Sequence, residues 1–461
     1  MSEPSSSGVT GIADLEPLAR AKEQKAWYWY DWANSAYVTT TAAVLFAPYL
    51  TSVATRAAGC AVGDGAPDCT KDLSVLGLTV SPESLVFYLV TLATILSALV
   101  LPVVGAGADR SAHKTRLLGR YAWAGSAFAA LMFFVTGTSW QLGAVLLVAA
   151  TLCLGASLVV YDAILCDIAL PDERDRVSSR GWARGYLGGG LLLAVNFGLL
   201  SVMSDTELAV RISLLSAAIW WAAFTIIPVR GIRDRVPFHP EPERGGLVRA
   251  SFGQLWATLK DLRHYPQTLL FLVAYLFYND GIQTVIYAAS VYGERELKFE
   301  KSSVLLAFLL VQFIGVAGAL GFGRVAERRG ARSVIMAGLV IWVLVVAAGY
   351  LTPARNFPLF LLLAAAIGIV LGGTQALSRS FYSQLIPQGR EAEYFSLYQA
   401  AERGTSWLGT LVFGVVQQVT GSYRPALFAL AAFFVVGLAL LSRVDARRGI
   451  TEAGNTPPAV V

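Results

Sequence analysis

The sequence predicts an all-α integral membrane protein of twelve transmembrane helices in two six-helix bundles, with both termini on the cytoplasmic side. Three observations carry this. The 461 residues are 55% hydrophobic and only 15% charged, with a mean hydropathy of +0.57, whereas a soluble domain is about 25% charged. The apolar residues gather into stretches of the length a helix needs to cross about 30 Å of hydrocarbon. Lys and Arg recur between those stretches rather than in one patch. Together these exclude an ordinary soluble enzyme, a disordered chain and a secreted disulfide scaffold, since four Cys in this length make no framework. A net charge of +5 then points to a membrane surface and not to nucleic acid.

Residues 1–26 form a polar N-terminal segment, of which 1–16 read as disordered. No secretory signal precedes the first span. That span is too long for a signal's apolar core and contains Asp31, so it is expected to stay in the mature chain. The N-terminal bundle, 27–229, holds spans at 27–52, 83–106, 117–136, 140–163, 182–203 and 208–229. A central loop at 230–265 is rich in Arg, Pro and Glu. The C-terminal bundle, 266–442, holds spans at 267–292, 302–323, 333–352, 357–378, 395–417 and 424–442, and a tail covers 443–461. Barrel strands would be half as long and alternating. With the N-terminus inside, the inner segments hold 26 of the 36 Lys and Arg and the outer loops hold 8, which sets the orientation. Trp27, Trp29, Trp140, Trp220 and Trp342 near span ends read as interfacial anchors. Cys60 and Cys69 share the long outer loop 53–82, where a disulfide can form, but spacing alone leaves it open. Cys153 and Cys166 read as reduced packing residues.

The two bundles repeat each other. GAGADRSAHK (105–114) and GRVAERRGAR (323–332) both fit G-x-x-A-[DE]-R-x-[AG]-x-[KR] between the second and third spans of their half. LPDERDR (170–176) matches IPQGREAE (386–393), and RGYLGG (184–189) matches RGTSWLG (403–409). The first spans share Asp31, Asn34 and Ser35 with Asp280, Gln283 and Thr284. Six helices per repeat give both copies one orientation, as in transporters whose substrate site lies between the halves at the bilayer midplane.

The two loops resemble the signature loop of the major facilitator superfamily, departing at Ala112 and His113, where that family usually has Gly and Arg. YDWANSAY (30–37), YNDGIQT (278–284) and GGTQALSRSFYSQLIPQGREAEYFSLY (372–398) resemble a narrower branch, the vacuole-effluxer-like, autophagy-related amino-acid exporters and their bacterial relatives (the UMF-type branch). The resemblance implies the major facilitator fold, a monomer in a bacterial cytoplasmic membrane, export, and amino acids as the leading substrate class.

Polar groups inside the spans are the candidates for substrate binding or proton coupling, because charge in hydrocarbon is costly and turns towards a cavity or partner. They are Asp31, Asn34, Asn196, Asn279, Asp280, Gln283, Gln312, Gln375 and Glu402. Asp280 stands deepest, about twelve residues into its span. Asp109 with Arg110 and Glu327 with Arg328 are candidate gating contacts, since a loop acid can meet a cation or a helix N-terminus. Asp162, Arg184, Arg379 and Arg403 read as structural charges, with Arg184 and Arg403 expected to pair with Asp162 or with the loop acids.

No Walker A sequence is present, so ATP does not drive the chain directly. His113, His239 and His264 and the Cys have no metal-ligand spacing, and no cofactor is expected. The expected function is secondary transport of a small polar, amino-acid-like solute by alternating access, with protons as a candidate coupling ion. The alternatives are a multidrug or sugar-type facilitator of the same fold and a non-transporting receptor or membrane enzyme.

Overall fold

The computed structural model describes residues 16–62, 69–75, 78–237, 256–258, 260–404 and 406–461. The N-terminal half comprises α1 (Pro17–Ala57), α2 (Leu85–Asp109), α3 (Lys114–Phe134), α4 (Trp140–Ile168), α5 (Pro171–Val202) and α6 (Thr206–Gly231). The C-terminal half comprises α7 (Pro266–Glu296), α8 (Lys301–Arg329), α9 (Ala331–Leu351), α10 (Phe357–Gln384), α11 (Glu391–Gly404), α12 (Ser406–Thr420), α13 (Tyr423–Leu441) and the short α14 (Ala446–Glu452). Among the described residues, eleven helices (α1–α10 and α13) are long and apolar enough to cross a membrane. The loop after α1 carries the Cys60–Cys69 disulfide and a small antiparallel hairpin, β1 (Leu73–Val75) on β2 (Leu78–Val80), with Ser74 opposite Thr79.

Helix ends follow local chemistry. Pro17 and Pro266 occupy first-turn positions, where a missing N–H costs nothing. Asp205, Asn356 and Ser422 cap α6, α10 and α13 through side-chain oxygens that accept first-turn amides. Four boundaries differ most from the sequence expectation. α5 begins at Pro171, eleven residues before the expected span, because the Pro171–Glu173 turn runs straight into the helix. α1 begins ten residues before the expected span, because nothing breaks the helix between Pro17 and Ala26 and Arg20 and Gln24 bond Glu173. The stretch 395–417 falls on two helices, α11 and α12, with residue 405 outside the described residues. The tail is partly folded: α14 packs on α7, where the Gln267 side-chain oxygen Oε1 accepts the Asp445 amide at 2.8 Å. Residues 1–15 and 238–255, with His239 among them, lie outside the described residues.

Two of the expected anchors are not at an interface. Trp27 and Trp342 are fully buried, stacked on Tyr161 and Phe434. The early start of α1 puts Trp27 well inside the bundle.

Within the first half α1 packs on α5 and α6, and α4 on α2 and α3; in the second, α10 packs on α8 and α9, and α7 on α13. Between halves α2 lies against α11, and α5 against α8. The repeat exchanges these two contacts, as a twofold axis between the halves would. α4 and α5 also meet α11 and α10. These last contacts lie towards the end of the bundle that carries the signature loops, here called the arginine-rich end.

Candidate functional site: a buried ionic seam between the halves

Arg379 lies in the last third of α10 and is 3% exposed. Its guanidinium crosses to the other half. Nη1 and Nη2 donate to Asp31 Oδ1 and Oδ2 at 3.3 and 3.0 Å, a bidentate pair. Nη1 also reaches Asp162 Oδ1 at 3.4 Å. Nε donates to Ser178 Oγ at 3.0 Å and Nη2 to the Ser178 carbonyl at 3.2 Å. The second oxygen of Asp162 accepts from Gln399 Nε2 at 2.8 Å. Five helices therefore meet at one cation: α1, α4 and α5 from the first half, α10 and α11 from the second.

The surroundings are aromatic. Trp27 stacks on Tyr161 with centroids 4.2 Å apart. The guanidinium lies 4.7 Å from the Trp27 ring, 5.4 Å from Tyr161 and 5.5 Å from Trp182. A delocalised cation between ring faces is favoured, and more so when desolvated. Position 181 must be glycine here, because a Cβ would strike Asp31 Oδ2 and Trp27. The seam thus holds one guanidinium against two carboxylates.

A second polar cluster lies on the C-terminal half. Gln375 Nε2 donates to Asn279 Oδ1 at 2.9 Å, and Asn279 Nδ2 donates to the carbonyl of Glu402, near the end of α11, at 3.1 Å. The next residue, Asp280, accepts the Gly409 amide in the first turn of α12 at 2.9 Å. Adjacent side chains on α7 therefore meet the backbone on both sides of the α11–α12 break. Asp280 Oδ1 and Thr284 Oγ1 are buried without a hydrogen-bond partner among the described residues.

Other expected site residues stand apart. Asn34 turns back to the Tyr30 carbonyl at 2.6 Å on its own helix. Asn196 Oδ1 accepts from Ser216 between α5 and α6. Gln312 reaches Thr39 Oγ1 across the halves at 3.5 Å, and Gln283 is half-buried on α7. The expected pairing of Asp162 with Arg184 does not occur: Arg379 takes that carboxylate. Arg184 instead lies over Tyr28 and Trp29 and touches the Lys25 carbonyl. The side chain of Arg403 lies outside the described residues. Gln399, Ser178, Tyr161 and Trp182 were not singled out in the sequence, and Trp27 was read there only as an interfacial anchor; the signal that pointed closest was SRS (378–380) within the long motif.

At the arginine-rich end the first signature loop holds a cross-half contact. Asp109, at the end of α2, accepts the amides of Ala392 and Glu393 in the first turn of α11, each at 2.8 Å. A carboxylate at a helix N-terminus meets unpaired N–H groups and the positive end of the dipole. Gly105 permits the approach, since a Cβ there would strike the Ala392 backbone. Arg110 beside it is half-buried. Glu327 and Arg328, in the last turn of α8, are exposed. Arg174 adds a bond to the Ser383 carbonyl at 2.6 Å, and Ser178 Oγ one to the Ala376 carbonyl at 2.7 Å. Arg390 pairs with Glu393 and with Asp261 of the central loop, and Thr258 of that loop bonds Glu393. At the opposite end the two ion pairs described stay within a half: Arg56–Glu207 at 2.6 Å and Arg424–Glu296 at 3.0 Å.

Residues 19–454 match the family model described as Vacuole effluxer Atg22 like. The chain belongs to that family. Among its relatives is an uncharacterized MFS-type transporter of Bacillus subtilis, YxiO, 29% identical over 92% of this chain and 95% of that protein. Autophagy-related protein 22 of Pyricularia oryzae is 25% identical over 95% of this chain and 78% of that one. Among solved structures, the human organic anion transporter MFSD10 superposes with a TM-score of 0.67 at 14% identity, covering 93% of this chain and all of that one, 100%. The major facilitator proton:xylose symporter XylE superposes with a TM-score of 0.67 at 10% identity, covering 95% and 98%. The fold is that of the major facilitator superfamily. This Atg22-like protein is a multi-pass membrane transporter and not an enzyme.

Proposed function

We propose that this Atg22-like chain is a secondary transporter that exports a small polar, amino-acid-like solute by alternating access between two six-helix bundles, residues 27–229 and 266–442. In this reading α11 and α12 together make one broken crossing, which brings the crossings to twelve and puts both termini on one side. The bias of Lys and Arg makes that side the cytoplasm, and the likeness to the Bacillus subtilis relative favours a bacterial membrane. The protein works as a monomer and needs neither ATP nor nucleic acid. Export and the amino-acid class rest on the family, whose description is that of an effluxer.

The observation that carries the reading is Arg379 bridging the halves to Asp31 and Asp162. A buried cluster with one cation and two carboxylates reaches neutrality with one added positive charge, a proton or the ammonium of a substrate. Either would weaken the hold of Arg379 on the first half and ease separation. Asp109 on α11 is the second contact that separation breaks, which gives it the gating role. The Asn279–Gln375–Asp280 cluster at the helix break is the candidate substrate surface, because amides and a carboxylate can bind both ends of a zwitterion.

The test is flux in proteoliposomes: radiolabelled amino acids loaded inside, with counterflow followed at imposed pH gradients. Flux of at least one solute that Arg379→Gln abolishes is expected. Equal flux in the wild-type and variant proteins removes the seam from the mechanism. Absence of flux for any amino acid, with flux of a sugar or lipophilic cation, replaces the substrate class.

A further inference from the structure

A recess of 350 Å³ opens at the arginine-rich end, away from the seam. Arg332 of α9, the residues 442–447 that follow α13, and Val461 form its walls. Its charge is lopsided. Arg332 donates through Nε to the Leu441 carbonyl at 3.2 Å and through Nη2 to the Ser442 carbonyl at 2.6 Å, which fixes the guanidinium at the end of α13. Arg443 and Arg447 are exposed and form no ion pair among the described residues. Two acids share the wall: Asp445, whose Oδ1 is occupied by the Arg448 amide, and the terminal carboxylate of Val461. Three guanidiniums thus surround a hollow with two carboxylates, which leaves one positive charge in excess.

The helices that lead away from the recess are apolar and unpartnered on their outer sides. Val340, Ile341 and Leu344 of α9 and Val435 and Val436 of α13 are exposed, and α9 packs beside α13. In a membrane protein those faces meet acyl chains. A cationic pocket at the level where spanning helices with lipid-facing sides leave the hydrocarbon has the chemistry of a phospholipid site. Solute on its way between the bundles has no access to it, since neither α9 nor α13 contributes to the seam.

We propose that this recess binds the phosphate headgroup of an anionic phospholipid, with Arg443 and Arg447 as its free cations, Arg332 as a fixed one, and the acyl chains along α9 and α13.

The experiment uses the full chain purified in neutral detergent and titrated with phosphatidylglycerol, with phosphatidylcholine and with inorganic phosphate. Thermal unfolding is followed, and native mass spectrometry counts lipid that survives purification. Phosphatidylglycerol is expected to raise the unfolding temperature, because a ligand of the folded state adds to its stability, while the other two leave it unchanged. Arg443→Gln with Arg447→Gln is expected to weaken phosphatidylglycerol binding about tenfold or more. Both side chains are exposed and unpaired, so lipid-free unfolding stays at the wild-type temperature. Arg116→Gln with Arg120→Gln removes the same charge from exposed positions of the other half and should leave binding unchanged. Wild-type affinity in the Arg443/Arg447 variant overturns the proposal. So does an equal response to inorganic phosphate, which would make the recess a site for free anions, and so does an equal loss in the Arg116/Arg120 control.

Discussion

The two signature loops share a sequence pattern and hold different things. In the first, Asp109 is buried and takes two amides at the N-terminus of α11, a helix of the other half. In the second, Glu327 is exposed at the end of α8. There the close contact with α5 is made by Gly323 against Ser179, and it is Asp175 of α5 that is buried, with Oδ1 unpaired among the described residues. The repeat therefore preserves a backbone approach in both places but a charge-assisted cap in only one. The opposite end shows the complementary case. Both halves tie their first helix to their last with an Arg–Glu pair, but the charges are exchanged: Arg56 on α1 meets Glu207 on α6, whereas Glu296 on α7 meets Arg424 on α13. An interaction can be conserved between repeats while its residues are not, and residues can be conserved while their interaction is not.

The largest expected effect lies between the two regions, at the seam. Arg379→Gln leaves Asp31 and Asp162 buried without their cation, which costs about 3–5 kcal/mol. Unfolding in detergent should fall accordingly. Adding Asp162→Asn should recover part of the loss, and failure to recover any would mean that the two groups are not coupled. Next comes the loop comparison itself. Asp109→Asn weakens two charge-assisted bonds, worth about 1.5–3 kcal/mol, and should shift the protein towards states open at the arginine-rich end. Spin-label distances between α2 and α11 would report this. Glu327→Gln should leave those distances unchanged; equal shifts in both variants would erase the asymmetry. Gly181→Ala forces a methyl against Asp31 and Trp27, and overpacking of this kind costs about 1–3 kcal/mol, again read from thermal unfolding. The smallest effect belongs to the outer pairs. The Arg56 and Glu207 side chains are each about one-third exposed, so Glu207→Gln should cost under about 1 kcal/mol. Glu296→Gln should match it, and a much larger loss in one half would show that the exchanged pairs are not equivalent.

The sequence by itself determined that this chain crosses a membrane many times and carries repeated motifs, and it picked out polar residues of which Asp31, Asp162, Asp280 and Arg379 are buried. Apolar length, the Lys and Arg bias and the spaced motifs are one-dimensional properties, so they are legible in the chain. Asp31, Asp162, Asp280 and Arg379 stood out because ionisable groups within or at the ends of spans are costly and few, and Asp109 stood out through the repeated loop motif. Only the tertiary structure decided which of them meet. Asp31 and Arg379 are hundreds of residues apart, and no local spacing links them. Helix rotation and tilt, set by close approaches such as those at Gly105 and Gly181, gave Asp162 to Arg379 and not to Arg184. Packing also buried Trp27 where its position suggested an interface, and turned one signature acid inward and the other out. These outcomes depend on which helix faces which, and that is a property of the assembled bundle, not of any one segment.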